Sequence, residues 1–266
     1  MPLVSISGFK YTDIDGNGRR ASSLVKGSDP DVVLVLDVSG STRTNFVGKL
    51  PVGDTNKDGV INSVLDAEIQ AGGALHASLM AQGFASSKLG LVRFDDTASV
   101  VFDGTAGDQD ANGFKFYTAA QGLALGGGTN YTAGLEAAST LLSSWGSKQG
   151  NVIFISDGQP NYGDEGVAVA QQLKAAGYNV QAFGVGSGAA PGPLNAVDSD
   201  GVSYIFQDPD ELKAVLSGQL SANVQTAVQY SEPGQAGVQI YVDANNNAVL
   251  DAGEPSATTG SDGNYS

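Results

Sequence analysis

The chain alternates unbroken apolar runs with stretches where apolar residues recur every three or four positions. Val32-Val-Leu-Val-Leu36 is continuous and β-branched, the pattern of a strand buried on both faces. Leu89–Phe94, Val152–Ile155 and Val180–Val185 repeat it. Between them, Leu65, Ile69, Leu75, Leu79 and Phe84 are spaced for one face of a helix. So are Leu135, Ala138, Leu141 and Leu142, and likewise Val167, Ala170, Leu173 and Ala176. Gly177 suits the C′ position that ends a helix, and Asp208 with Pro209 suits an N-cap and first helical position. Residues 29–225 therefore predict an α/β domain, a doubly wound and mostly parallel sheet with helices on both faces. Ligands in such sheets bind beyond the carboxyl ends of the strands.

The flanks differ. Residues 1–28 are polar, with a strand pattern at Val4–Tyr11 followed by an acidic loop. Residues 226–266 return to short strands and acidic loops without a helix signal. Met1–Gly8 has neither the basic nor the apolar segment of a signal peptide. The tail Ser261–Ser266 stops where a strand should begin, as a fragment of a longer chain would.

Composition narrows the function. With 41% hydrophobic and 15% charged residues, the 266-residue chain is not disordered. A net charge of -15 argues against nucleic acid and anionic membrane as partners, since phosphate contacts need Lys and Arg. No apolar run approaches the length of a membrane span. Cysteine is absent, which excludes disulfides and thiolate sites, and His76 is the single histidine. Excess carboxylate and no disulfide point to Ca²⁺ as the stabiliser of an extracellular fold.

Three segments should meet at the sheet edge: Asp37-Val-Ser39-Gly-Ser41, Gly126-Gly-Gly-Thr129-Asn130 and Ser156-Asp157-Gly158. Two carboxylates and three hydroxyls are hard oxygen donors of low total charge. They suit Mg²⁺, Ca²⁺ or Mn²⁺ rather than zinc or copper. A DxSxS segment alone also fits an ordinary strand-to-helix turn with a capping serine. Asp37-x-Ser39-x-Ser41 with Thr129 and Asp157 resembles the metal-ion-dependent adhesion site of von Willebrand factor type A domains, over about 195 residues. That resemblance implies that Ser39, Ser41 and Thr129 ligate the metal directly, and Asp37 and Asp157 directly or through water. It also implies a partner that offers an acidic group to the ion. Unlike the usual family pattern, residues 46–62 intervene before the first helix, as an extra lobe.

That lobe carries Asp54, Asn56, Asp58, Gly59 and Val60 at positions 1, 3, 5, 6 and 7 of an EF-hand-like calcium loop, similar to that of dockerin modules. Position 12 is Leu65, so Asp66 or Glu68 would have to substitute. The tail fills positions 1, 3, 5, 7, 9 and 12 with Asp243, Asn245, Asn247, Val249, Asp251 and Glu254, with Ala248 where Gly is expected. The head offers Asp13, Asp15 and Asn17, to be completed by Asp29 or Asp31. Gly8–Gly18, Gly237–Asp243 and Thr258–Ser266 resemble strands of the B-type repeats of serine-aspartate surface adhesins. This implies a small calcium-binding β-sandwich into which the type A domain is inserted. The combination resembles modules of long bacterial RTX adhesins exported by type I secretion, hence an extracellular, cell-surface site beside neighbouring domains of the same chain.

Smaller groups read as ordinary structure: Asp103, Asp108 and Asp110 as a solvated loop, Asp198 and Asp200 likewise, His76 as a packed histidine and Trp145 as a packing residue. The expected function is adhesion to a protein, peptide or glycan through the strand-end cation. The alternative is a calcium-stiffened extender without a ligand of its own. An enzyme is not expected, because no GxSxG, Walker or dinucleotide motif is present. An intracellular relative of chelatase subunits would leave the calcium loops unexplained.

Overall fold

The computed structural model describes residues 8–10, 30–46, 48, 51–147, 150–161, 163, 165–218, 234–261 and 263–266. In chain order the elements are β1 (Gly8–Phe9), β2 (Asp31–Asp37), a 3₁₀ turn (Gly40–Arg43), α1 (Val64–Ala81), β3 (Lys88–Phe94), β4 (Ala98–Thr105), β5 (Gln109–Asp110) and β6 (Gly113–Phe114). There follow α2 (Lys115–Gln121), α3 (Tyr131–Ser144), β7 (Gly150–Ser156), α4 (Val167–Ala175), β8 (Asn179–Val185), α5 (Pro191–Val197), β9 (Tyr204–Phe206) and α6 (Pro209–Leu216). The tail adds β10 (Gln239–Tyr241), β11 (Ser256–Thr258) and β12 (Asn264–Tyr265).

Six strands form the central sheet in the order β4-β3-β2-β7-β8-β9. All neighbours are parallel except β4, which runs antiparallel to β3. The architecture is thus the expected α/β one. β2 shows why it forms. Its side chains alternate between faces. Val32, Leu34 and Leu36 enter one core with Leu65, Ile69 and Leu75 of α1 and Leu212 and Val215 of α6. Val33 and Val35 enter the other with Leu135 and Ala138 of α3 and Ala170 and Leu173 of α4. A strand covered twice has to be apolar at every position, which is the pattern read from the sequence.

Helix ends follow local chemistry. Asp208 accepts from Asp210 N (2.9 Å) as the N-cap of α6, with Pro209 at the first turn. Gly177 takes φ +89 after α4, and the N–H of Tyr178 reaches Leu173 O. α1 ends at Ala81, earlier than the apolar spacing implies. Phe84 still joins the core because Gly83, at φ +85, turns the chain back and Phe84 N donates to Leu79 O.

β4, β9, α2 and α5 carry no clear periodic signal. β4 is an edge strand with Val100 and Val101 exposed, and a bulge at Leu91/Val92 interrupts its pairing. The others have at most seven residues.

The segment between the 3₁₀ turn and α1 is clipped at its base. Phe46 N donates to Asn62 O (2.7 Å), and Asn45 bridges Ser63. Ser63 then caps α1 in a reciprocal box with Asp66. In the flanks, β1 pairs with β12 and β10 with β11, each antiparallel. Gln235 N donates to Lys10 O and Lys10 N to Gly263 O. Among the described residues the flanks form these two short ladders, and the expected β-sandwich is not shown. The head loop with Asp13, Asp15 and Asn17 lies outside the described residues.

Candidate metal centre

β2 and β7 are adjacent and in register up to Leu36 and Ile155, so Asp37 and Ser156 end side by side. Ser156 Oγ donates to Asp37 Oδ2 (2.5 Å), and Ser39 N to Asp37 Oδ1 (2.8 Å). Ser39 Oγ lies 2.9 Å from Ser41 Oγ, and Ser41 Oγ donates to Asp157 Oδ1 (2.7 Å). The hydroxyls and carboxylates of both strand ends thus form one connected group.

Thr129 is delivered by the glycine tract before α3. Gly126 N donates to Val38 O, Gly40 N to Gly127 O, and Gly128 N to Asp96 Oδ1. A Cβ on Gly126 would stand 1.9 Å from Asp95 Oδ2 and 2.6 Å from its Cβ. One on Gly127 would stand 2.0 Å from Asp96 Oδ2. Only glycine lets the tract pass so close to β3. Asn161 then grips Thr129, accepting from its N (2.6 Å) and donating N–H to its carbonyl (2.9 Å). A Cβ on Gly158 would lie 3.7 Å from Ser41 Oγ and 4.0 Å from Thr129 Oγ1. The two hydroxyls therefore lie on either side of Gly158 at ordinary contact distance. The structure brings Asp37, Ser39, Ser41, Thr129 and Asp157 to one edge. All but Asp37 line an open depression of about 580 Å³, and Asp37 lies fully buried beneath.

Burial raises the Asp37 carboxyl from 3.8 to about 7, against hydrogen bonds from Ser156 and Ser39 and helped by the charge of Asp157. Burial also raises Asp157. Among the described residues the salt bridge is Arg93–Asp95 (3.0 Å), so no basic side chain neutralises the pair. Nor do three acidic or histidine side chains converge on one point among the described residues. Any ion here would depend on the hydroxyls as well as Asp37 and Asp157. Hard oxygens, two carboxylates without a counter-charge and an open front fit a hard divalent cation.

The two described acidic loops share one backbone form. Asp54 accepts from Asp58 N and Gly59 N, as Asp243 does from Asn247 N and Ala248 N. Asn56 and Asn245 accept from the N–H two residues on, and Asp58 and Asn247 from Val60 N and Val249 N. Positions 4 and 6 are left-handed in both: Lys57 (φ 62) and Gly59 (φ 86), Asn246 (φ 59) and Ala248 (φ 62).

The supposed closing ligands differ. Asp66 is buried and committed: Oδ2 accepts from Ser63 N and Oγ, and Oδ1 from Thr55 N. In the tail, Asp251 accepts from the amides of Asn245 and Asn247, and Glu254 from Ala244 N and Asp251 N. Ala248 bears the cost of a left-handed alanine. Ala248→Gly is expected to stabilise the loop by about 1 kcal/mol, seen as slower amide exchange over residues 243–251.

The smaller acidic groups have structural partners. Asp108 accepts from Thr105 N and Oγ1, Asp110 from Asn112 N, Asp198 from Ala182 N and Asp200 N, and Asp200 from Val202 N. Asp103 accepts from Trp145 Nε1 (2.8 Å), so Trp145 is anchored by a hydrogen bond as well as packed. His76 is buried, donates from Nε2 to Ala106 O (2.7 Å) and stacks on Phe116. Residues whose part was not read from the sequence also shape the edge: Ser156, Asn161, Asp95 and Asp96. They had one available signal, their place at or beyond the end of a parallel strand.

The family model for the von Willebrand factor type A domain matches residues 31–219. No curated protein sequence matches the chain. Among solved structures, proximal thread matrix protein 1 from the mussel byssus is similar, with TM-score 0.54 and 21% identity over 72% of this chain and 47% of that one. Another form of that protein is described with a zinc-occupied MIDAS motif (TM-score 0.52, 19% identity, 72% of this chain and 47% of that one). The chain spans about half the length of these mussel structures. The vWF domain of the type V pili tip protein Mfa5 from Porphyromonas gingivalis is similar with TM-score 0.55 and 14% identity, over 74% of this chain and 98% of that one. With the parallel sheet and the strand-end oxygen cluster in place, the family match over most of its length shows that the chain belongs to the von Willebrand factor type A domain family.

Proposed function

We propose that this protein is a cell-surface adhesion module that binds an acidic group of a protein, peptide or glycan through a divalent cation at the strand-end site. The observation that carries the reading is the convergence of Asp37, Ser39, Ser41, Thr129 and Asp157 around an open depression. Ser39, Ser41, Thr129, Asp37 and Asp157 would hold the ion. With only two carboxylates, the ion keeps positive charge to offer a carboxylate from outside. Mg²⁺ suits the site, with Ca²⁺ or Mn²⁺ as substitutes. A solved relative with a zinc-occupied MIDAS motif and another from a pilus tip are in keeping with this reading. No catalytic activity is proposed.

The shared form of the 54–60 and 243–249 loops supports structural Ca²⁺ there. The head loop at Asp13, Asp15 and Asn17 is proposed by sequence likeness alone. Absent cysteine, acidity and calcium loops support export to a bacterial surface within a long RTX-type chain, beside other domains.

The test is binding to an array of acidic peptides and glycans, with Mg²⁺ or with chelator, for the wild type and Asp157→Ala. Retention that needs the cation and disappears in Asp157→Ala is the expected result. Mg²⁺ binding that Asp157→Ala abolishes, without any cation-dependent partner, would favour the extender instead.

A further inference from the structure

Glu68, in the second turn of α1, is fully buried and neither carboxylate oxygen has a hydrogen-bond partner. That is a costly arrangement for a carboxyl group unless something nearby interacts with it. Two observations say where it sits. One turn further along α1, a Cβ on Gly72 would come 2.7 Å from Leu34 Cδ2, so the helix lies against β2. α1 starts at the site edge, where Val64 N donates to Thr44 O, so Glu68 lies about 6 Å nearer that edge than Gly72. Burial, and after it the charges of Asp37 and Asp157, hold the Glu68 carboxyl well above the ordinary carboxylate range.

We propose that Glu68 serves the strand-end cation site from the α1 side, as a buried carboxyl behind Asp37 and Asp157 and not as a third ligand converging on the ion. Resting on the reading of that site as a cation site, this adds a residue outside the five-residue motif. The loops present hydroxyls and two carboxylates, and α1 adds a buried carboxyl behind them. The opening is left to the ligand. Its position in the core makes Glu68 a positioning residue for the ion, and neither of its oxygens is taken up by a hydrogen bond.

The test is Mg²⁺ titration calorimetry on the whole chain, with Asp157→Ala as the reference lacking the site. Glu68→Gln keeps the shape and removes the charge, and Glu68→Leu removes the polar group. Both are expected to weaken the Mg²⁺ binding that Asp157→Ala abolishes by about 10- to 100-fold. In chelator both should melt at or above the wild-type temperature, because an unpartnered buried acid has gone. A merely structural Glu68 would leave Mg²⁺ affinity within twofold of wild type, and that result overturns the proposal. Should Glu68→Gln fail to fold, Glu68→Leu decides. If wild type and Asp157→Ala titrate alike, the cation-site reading itself fails, and this inference with it.

Discussion

Asp37→Ala is expected to abolish stabilisation by Mg²⁺ while changing the chelated protein little. A saturating ion stabilises by RT ln(1 + [L]/Kd), about 4 kcal/mol at a thousandfold excess over Kd. Asp37 sits between Ser39 and Ser156 at the base of the oxygen cluster, so its loss removes one of two carboxylates and loosens Ser39 as well. In chelator two effects oppose each other. Ser39 N–H and Ser156 O–H lose their acceptor, at about 1–3 kcal/mol for each group left unsatisfied. A buried carboxyl raised to about 7 is also removed, and that is favourable. The wild-type melting temperature should rise with Mg²⁺ and that of Asp37→Ala should not. Equal Mg²⁺ shifts in the two proteins would place the ion elsewhere.

The second large effect is on pH. Asp37 has a folded-state value of about 7 against 3.8 unfolded. Below about pH 4 both states are protonated. Between pH 4 and 7 the unfolded chain ionises while the folded carboxyl keeps its proton, so stability in chelator falls as pH rises. The full span corresponds to about 4 kcal/mol at most. Asp157 and Glu68, raised chiefly by burial, act in the same direction. Bound Mg²⁺ favours the ionised form and removes this loss. Urea unfolding at several pH values, with Mg²⁺ and with chelator, should show the gap between the two widening up to pH 7. Stability in chelator that rises with pH through this window would contradict the account.

The fold was legible where burial forces a pattern. Val32–Leu36 lies between two cores, so each position must be apolar, and no other element explains such a run. The site was legible because its five residues stand just past parallel strands or at the start of α3, where chain direction alone brings them together. β4 was not legible, because an edge strand with exposed Val100 and Val101 carries no alternation. The difference between Asp66 and Glu68 was not legible, because acids two residues apart on the chain suggest one loop, while α1 is buried from Val64 to Ile69 and only Asp66 is taken up by hydrogen bonds, from Ser63 and Thr55. Asp66 also meets a local demand that sequence spacing does not display. A helix start needs its N–H groups capped, and Ser63 with Asp66 meets that need.

Gly8 stands opposite Tyr265 in an antiparallel pair. The chain exits at the N-terminal end of β1 and the C-terminal end of β12 therefore lie side by side at one end of the ladder. Tension on those two exits would peel the β1–β12 hydrogen bonds one after another rather than shear them together. Such a clasp yields at low force, before the load reaches the parallel sheet. Pulled from its flanks, the molecule would lengthen first by opening there, with the cation edge still intact.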